Sequence, residues 1–173
     1  MKNKERIRHN GATKAAPIQY KIPAEFKVVR LRECPVDNPQ IETPPQVVDF
    51  WRKHVATASW FKEGRECLCV FLLNTRHRLI GFELVSQGTL NTILLRTCEA
   101  LRVATIYNAE AIIIAHNHPA GDPSPSEADI KVTRELLRAG QYLQISLLDS
   151  VIIGDARLKK SYSSLREFGC FYS

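Results

Sequence analysis

The stretch from Ala111 to Asp129 constrains the fold more than any other part of this chain. It begins with the short apolar run Ala-Ile-Ile-Ile-Ala, whose β-branched residues predict a buried strand. His116 and His118 stand at the end of this strand, and Pro119 stops it. Because strand side chains alternate between the two faces of a sheet, both imidazoles project on the same side and can converge on one metal ion.

A loop and the start of a helix follow the histidines. Glycine and proline residues between 121 and 125 predict a turn-rich loop, and the apolar periodicity of residues 126–139 predicts a helix with Ser126 as its N-cap. Asp129 lies in the first turn of this helix and can face back toward the histidines. Two imidazoles and one carboxylate suit Zn²⁺ and leave a fourth tetrahedral position open, as in catalytic sites. The predicted metal ligands are His116, His118 and Asp129.

Each part of this pattern also has a simpler interpretation. A Ser-x-x-Asp sequence before an apolar run is more often only a helix cap, and surface His-x-His pairs occur by chance. The conjunction of strand end, His-x-His-Pro, Gly/Pro loop and helix start favours the metal site. Two other metal-enzyme classes are excluded, because the chain has neither the Pro-Cys-x-x-Cys of nucleobase deaminases nor a His-Glu-x-x-His helix.

The complete motif resembles that of the JAMM (MPN) metallopeptidase superfamily. Residues 116–126 read His-Asn-His-Pro-Ala-Gly-Asp-Pro-Ser-Pro-Ser, and this string is similar to the motif of the bacterial RadC-like branch. The resemblance covers about residues 45 to 173. It implies an α/β (α+β) fold of the cytidine-deaminase-like MPN type, with a central mixed sheet flanked by helices. It also implies a Zn²⁺-dependent hydrolase that cleaves a peptide or isopeptide bond of a protein substrate.

Two catalytic residues are predicted through the same resemblance. JAMM proteins carry a glutamate on a strand upstream of the His-x-His, and Glu83, which precedes Gly88-Thr89, is matched to it. The family role of this glutamate is to take a proton from the metal-bound water and pass it to the leaving amine. Ser126 matches the serine that helps to stabilise the oxyanion. From the residues alone Glu83 could equally face solvent, and Glu66 and Glu63 are the next candidates for the base.

The remaining elements follow from apolar periodicity and turn residues. Gly140 is the expected C-cap residue of the helix that begins at Ser126. The segment 161–173 is expected to form a short helix whose Leu165 and Phe168 pack on the core. The other predicted elements are an edge strand over 26–32, a helix over 45–56, strands over 66–74 and 79–86, a helix over 91–106, the histidine-bearing strand over 110–115, and a strand over 145–153.

Composition indicates one globular domain over residues 25–173. Of the 173 residues 45% are hydrophobic and 24% charged, and no apolar run reaches the ~20 residues that a membrane span needs. The five cysteines contain no Cys-x-x-Cys pair, so neither a disulfide framework nor a thiolate zinc site is indicated. The start of the chain lacks the apolar core of a signal peptide, and a cytoplasmic protein is expected.

The N-terminal residues carry most of the positive charge. Residues 1–32 hold nine basic and two acidic side chains, a net charge of +7. The net charge of the whole chain is +6, so the remaining 141 residues sum to −1. Residues 1–24 are therefore predicted to form a flexible basic arm, either solvated or in contact with DNA. The resemblance to RadC-like proteins, which are associated by name with DNA repair and recombination, keeps a second functional interpretation open: a DNA-associated accessory protein whose metal site is structural or non-catalytic.

Overall fold

A mixed β-sheet forms the centre of the part of the chain that the structure describes. The computed structural model describes residues 39–88 and 97–171, which fall within one compact unit. In chain order the elements are α1 (Pro44–Phe50), a π-helical turn (Trp51–Val55), β1 (Glu66–Leu73), β2 (Leu79–Gly88), α2 (Thr97–Ile106), β3 (Ala111–Asn117), α3 (Glu127–Leu143), β4 (Ser146–Ile153) and β5 (Tyr162–Ser164). The fold is therefore α+β, as predicted.

The strand order places the histidine-bearing strand at the centre of the sheet. Within the described residues the order is β2-β1-β3-β4-β5, with β3 and β4 parallel and the other neighbours antiparallel. Every residue of β1 and β3 is buried. This burial explains their continuously apolar sequences, because central strands are covered on both faces.

Side chains of β1 alternate between two apolar clusters on opposite faces of the sheet. Cys67, Cys69 and Phe71 pack with residues of α1, whereas the intervening even-numbered residues pack with α2 and α3. Glu66 precedes this even series. His116 shares its register, because it lies directly opposite Leu68 on the neighbouring strand. The sheet face covered by α2 and α3 is therefore the face on which the predicted site is built.

The C-terminal end of α3 differs from the prediction. The helix continues through Gly140 to Leu143, and Gln144, in a left-handed conformation with φ 57°, ends it. Gly140 is instead required by close packing, because a Cβ atom at this position would lie 2.4 Å from the carbonyl oxygen of Ile145. The glycine allows the helix backbone to approach the chain that leads into β4.

The predicted C-terminal helix is wrong for the residues that can be compared. Tyr162–Ser164 form the edge strand β5, and turns follow it up to Phe171. Leu165 is buried as expected. Phe168 does not pack on the core, since it is 53% exposed and Lys160 Nζ lies 4.4 Å above its ring.

Three further predictions lie wholly or partly outside the described residues: the arm over 1–24, the strand over 26–32, and the first part of the helix over 91–106. The helix over 45–56 is confirmed, with a change to π-helical geometry at Trp51. No helix among the described residues is long and apolar enough to cross a membrane.

Candidate metal centre

The end of β3 and the start of α3 bring the three predicted ligands together. His116 Nε2 lies 3.1 Å from His118 Nε2 and 3.1 Å from Asp129 Oδ1. His118 Nε2 lies 3.6 Å from Asp129 Oδ2. The side chain of His116 is 2% exposed, that of His118 19% and that of Asp129 10%, so the group is largely shielded from solvent.

These distances fit the binding of one ion by all three residues. Because zinc–nitrogen bonds are about 2.0–2.1 Å long, neighbouring ligand atoms around a tetrahedral zinc ion lie about 3.3 Å apart. The three separations of 3.1, 3.1 and 3.6 Å are close to this spacing, and the two that involve Asp129 are measured to its Oδ1 and its Oδ2 respectively. Two imidazole nitrogens and a carboxylate oxygen are also a donor set that zinc accepts.

Glu66, at the start of β1, is the fourth residue of the group. Its carboxylate Oε1 lies 3.7 Å from His116 Nε2, and the residue is 8% exposed. One potential ligand atom from each of Glu66, His116, His118 and Asp129 lies within 4.8 Å of the other three. Antiparallel pairing causes this convergence, because it places the first residue of β1 beside the last residues of β3.

Glu83, the glutamate chosen from the sequence, is not brought to this group. It is exposed on β2, where it lies opposite Val70, and Val70 in turn lies opposite Ile114 on β3. Glu83 is therefore two strand spacings, about 10 Å, from β3. Along the strand direction it is level with Ile114, two residues before His116. Among the described residues the glutamate that joins the group is Glu66 on β1, and the catalytic role assigned to Glu83 stays a prediction. No local sequence signal separates Glu66 from Glu83, because the difference depends on which strand pairs with β3.

The loop after β3 fixes the orientation of His118. The backbone N–H of His118 donates to the carbonyl of Ile153 on β4 at 3.0 Å, and its Nδ1 lies 2.8 Å from the carbonyl oxygen of Asp122. Because a carbonyl can only accept, Nδ1 carries the proton of the neutral ring, and Nε2 is left free to bind a metal. Gly121 allows the turn, with φ 83°, and its carbonyl accepts from the N–H of Asp155.

His116 has a different environment. Its Nδ1 atom is buried and has no hydrogen-bond partner among the described residues. In the register of the sheet His116 lies between Leu68 of β1 and Ile152 of β4.

Ser126 holds the Asp129 carboxylate in place. As predicted, it is the N-cap of α3, and its Oγ accepts from the N–H of Asp129 at 3.2 Å. The Ser126 N–H and hydroxyl both donate to Asp129 Oδ2, at 2.8 and 2.6 Å. The hydroxyl that was expected to stabilise an oxyanion is thus engaged with a ligand, and its contact with a substrate stays a prediction.

Contacts within this group shift the pKa values of Asp129, His118 and Glu66. Burial raises the pKa of Asp129, but hydrogen bonds from His116 and His118 outweigh this effect and hold it far below its usual range. The hydrogen bond to Asp129 raises the pKa of His118. Burial raises the pKa of Glu66, and the two histidines offset this only in part. Glu66 is therefore a carboxylate whose affinity for a proton is increased, as a general base requires.

Comparison with known proteins agrees with the resemblance inferred from the motif. Residues 41–170 match the family model of the RadC-like JAB domain. A UPF0758 protein of Desulfitobacterium hafniense is 36% identical over 165 residues, which cover 95% of this chain and 69% of the relative. A UPF0758 protein of Methanosarcina mazei is 35% identical over 162 residues, which cover 92% of this chain and 66% of the relative. A UPF0758 protein of Moorella thermoacetica is 46% identical over 103 residues, which cover 60% of this chain and 43% of the relative. The chain belongs to the RadC-like JAB domain family.

Proposed function

We propose that this chain is a zinc-dependent hydrolase that cleaves a peptide or isopeptide bond. His116, His118 and Asp129 are its metal ligands, and Glu66 is its general base. One observation carries the proposal: the buried carboxylate of Glu66 lies 3.7 Å from His116 Nε2, beside the three proposed ligands, which by themselves would leave one tetrahedral position open. A purely structural zinc site normally has four protein ligands and needs no such additional base.

The chemistry divides between the ion and the chain. Zinc at this position would lower the pKa of water to about 7 and polarise a substrate carbonyl. The Glu66 carboxylate takes a proton from the attacking water and delivers it to the amine that leaves. A carboxylate suits both steps, because a proton held too weakly or too strongly could not be exchanged within one turnover. Asp129 stays ionised throughout, since its pKa is far below neutrality.

The decisive experiment compares the same substitution, glutamate to glutamine, at two positions: Glu66 in the metal group and Glu83 on β2. Glu66→Gln should keep zinc and lose about 10²-fold or more in kcat, the usual scale for removing general acid–base help. Glu83→Gln should retain wild-type activity, because its side chain is exposed on β2 and lies outside the metal group. Zinc content measured by elemental analysis and cleavage of a peptide and isopeptide substrate panel are the two readouts.

Each contrary result has a defined meaning. Release of zinc by Glu66→Gln would make Glu66 a ligand rather than a base. Equal activity of Glu66→Gln and wild type would remove it from the mechanism. Zinc-loaded protein that cleaves no substrate in the panel would favour a DNA-associated accessory role with a non-catalytic metal. A DNA binding and cleavage assay on the same samples tests that role directly.

A further inference from the structure

The side chain of Asn117 holds the backbone on both sides of Glu66. Asn117 Oδ1 accepts from the N–H of Cys67 at 2.9 Å, and Asn117 Nδ2 donates to the carbonyl of Arg65 at 2.9 Å. Asn117 is 7% exposed, and the hydrogen bond to Cys67 is buried. We call these two hydrogen bonds the Asn117 clamp. The residue between the two clamped backbone groups is Glu66.

The clamp replaces the regular sheet ladder at the point where β1 and β3 separate. Backbone pairing between these strands extends to Leu68 and His116 and stops there. Beyond it, Pro119 has no N–H to donate, and the N–H of His118 is directed to Ile153 of β4. The amide of Asn117 supplies both an acceptor and a donor to β1, a pairing that an ionised aspartate could not provide.

This arrangement separates two tasks within three consecutive residues. The side chains of His116 and His118 face the metal group, and the side chain of the intervening Asn117 reaches β1 instead. We propose that Asn117 is a positioning residue for Glu66, which sets the distance between the general base and the metal ligands without touching either the metal or the substrate. The inference rests on the proposed function of Glu66.

The test uses Asn117→Ala, with Asn74→Ala as its matched control. Asn74 also lies next to β1, at the opposite end, and its Oδ1 accepts from two backbone N–H groups, those of Arg76 and Arg78, at 2.9 and 3.0 Å. Asn117→Ala should keep zinc and KM unchanged and lower kcat by about 10- to 100-fold, the usual cost of removing a partner that orients a site residue. Asn74→Ala should leave kcat unchanged even if it unfolds at a lower temperature.

A double variant distinguishes positioning from general destabilisation. If Asn117 acts through Glu66, the combination of Glu66→Gln and Asn117→Ala should be no slower than Glu66→Gln alone. Rates that multiply, loss of zinc from Asn117→Ala, or an equal loss of kcat in Asn74→Ala would each overturn the inference. If Asn117→Ala does not fold, Asn117→Asp preserves the size and the acceptor, removes the donor to Arg65, and should show the same selective loss of kcat.

A structural readout keeps this test separate from that of the proposed function. Crystal structures of the zinc-loaded wild type, Asn117→Ala and Asn74→Ala show where the Glu66 carboxylate lies. We expect it to leave the metal group in Asn117→Ala alone. If the wild type cleaves no substrate, the proposed function fails, and the clamp is judged by this displacement. An unmoved Glu66 in Asn117→Ala refutes the inference even when the wild type is active.

Discussion

Removing the hydroxyl of Ser126 should weaken both a helix and a metal site, by amounts that the contacts allow us to estimate. Ser126→Ala removes the acceptor for the Asp129 N–H and the hydroxyl donor to Asp129 Oδ2. Loss of an N-cap serine costs about 1 kcal/mol, and we take no more than this because Ser126 is exposed. In a domain of this size that corresponds to a fall of about 2–4 °C in the Tm of the metal-free protein.

The larger effect is expected in metal affinity. Asp129 loses one of the donors that fix its carboxylate, and removing such a partner typically reduces metal affinity by about 10- to 100-fold. Competition with a chromophoric chelator gives the zinc Kd, and thermal unfolding with and without metal gives the stability. Ser126→Thr keeps the hydroxyl and should restore both values.

Ser124→Ala is the matched control in the same loop. The Ser124 hydroxyl also donates to a carboxylate, Asp122 Oδ1 at 2.7 Å, but the hydrogen bond between Asp122 and His118 is made by the backbone carbonyl of Asp122. This variant should leave the zinc Kd unchanged. The reasoning is refuted if Ser126→Ala binds zinc as tightly as the wild type and loses kcat alone. That result would assign Ser126 to the oxyanion and not to the support of Asp129.

Two further predictions concern packing and pH. Gly140→Ala should lower the free energy of unfolding in urea by about 1–3 kcal/mol, because the new Cβ would overlap the carbonyl oxygen of Ile145. Gly64→Ala is the control and should be close to neutral, because a Cβ there would have no atom within 4 Å. The pKa of His118 is raised above its ordinary value of 6.5 by Asp129, so protonated His118 stabilises the metal-free fold. This contribution is complete below about pH 6.5 and is lost as the pH rises through the raised pKa, while zinc affinity increases over the same range because zinc needs the neutral ring. A Tm of the metal-free protein that rises with pH across this window would contradict the assignment.

The convergence of His116, His118 and Asp129 could be predicted from the sequence because their placement depends on local rules. Strand alternation fixes the common direction of His116 and His118, and the capping pattern fixes Asp129 one turn into α3. The fourth member of the group, Glu66, could not be predicted in the same way. Glu66 and Glu83 both lie on strands upstream of the histidines, and the choice between them depends on strand order and register, which are non-local.

The two errors near chain turns have the same origin. A glycine near the end of an apolar-periodic segment is a common helix stop, yet Gly140 is kept for the approach of Ile145, which the local pattern does not show. Similarly, residues 162–164 became a strand because β4 offers an edge for antiparallel pairing. Their own periodicity did not require it. In both cases a tertiary contact overrides the local preference.

The metal-free site has a physical reason to bind a cation. Two carboxylates, those of Glu66 and Asp129, lie in one largely buried group, and burial by itself raises the pKa of each. Without metal, the desolvation of Asp129 is offset by the two histidines and by the Ser126 hydroxyl. For the Glu66 carboxylate the contacts of the described residues include no such short hydrogen bond, and His116 Nε2 lies 3.7 Å away. A divalent ion would compensate both carboxylates and would also join the end of β3 to the start of α3, so binding free energy becomes folding free energy. The same position beside the proposed ligands that makes Glu66 costly to bury without an ion is the position that its proposed role as a base requires.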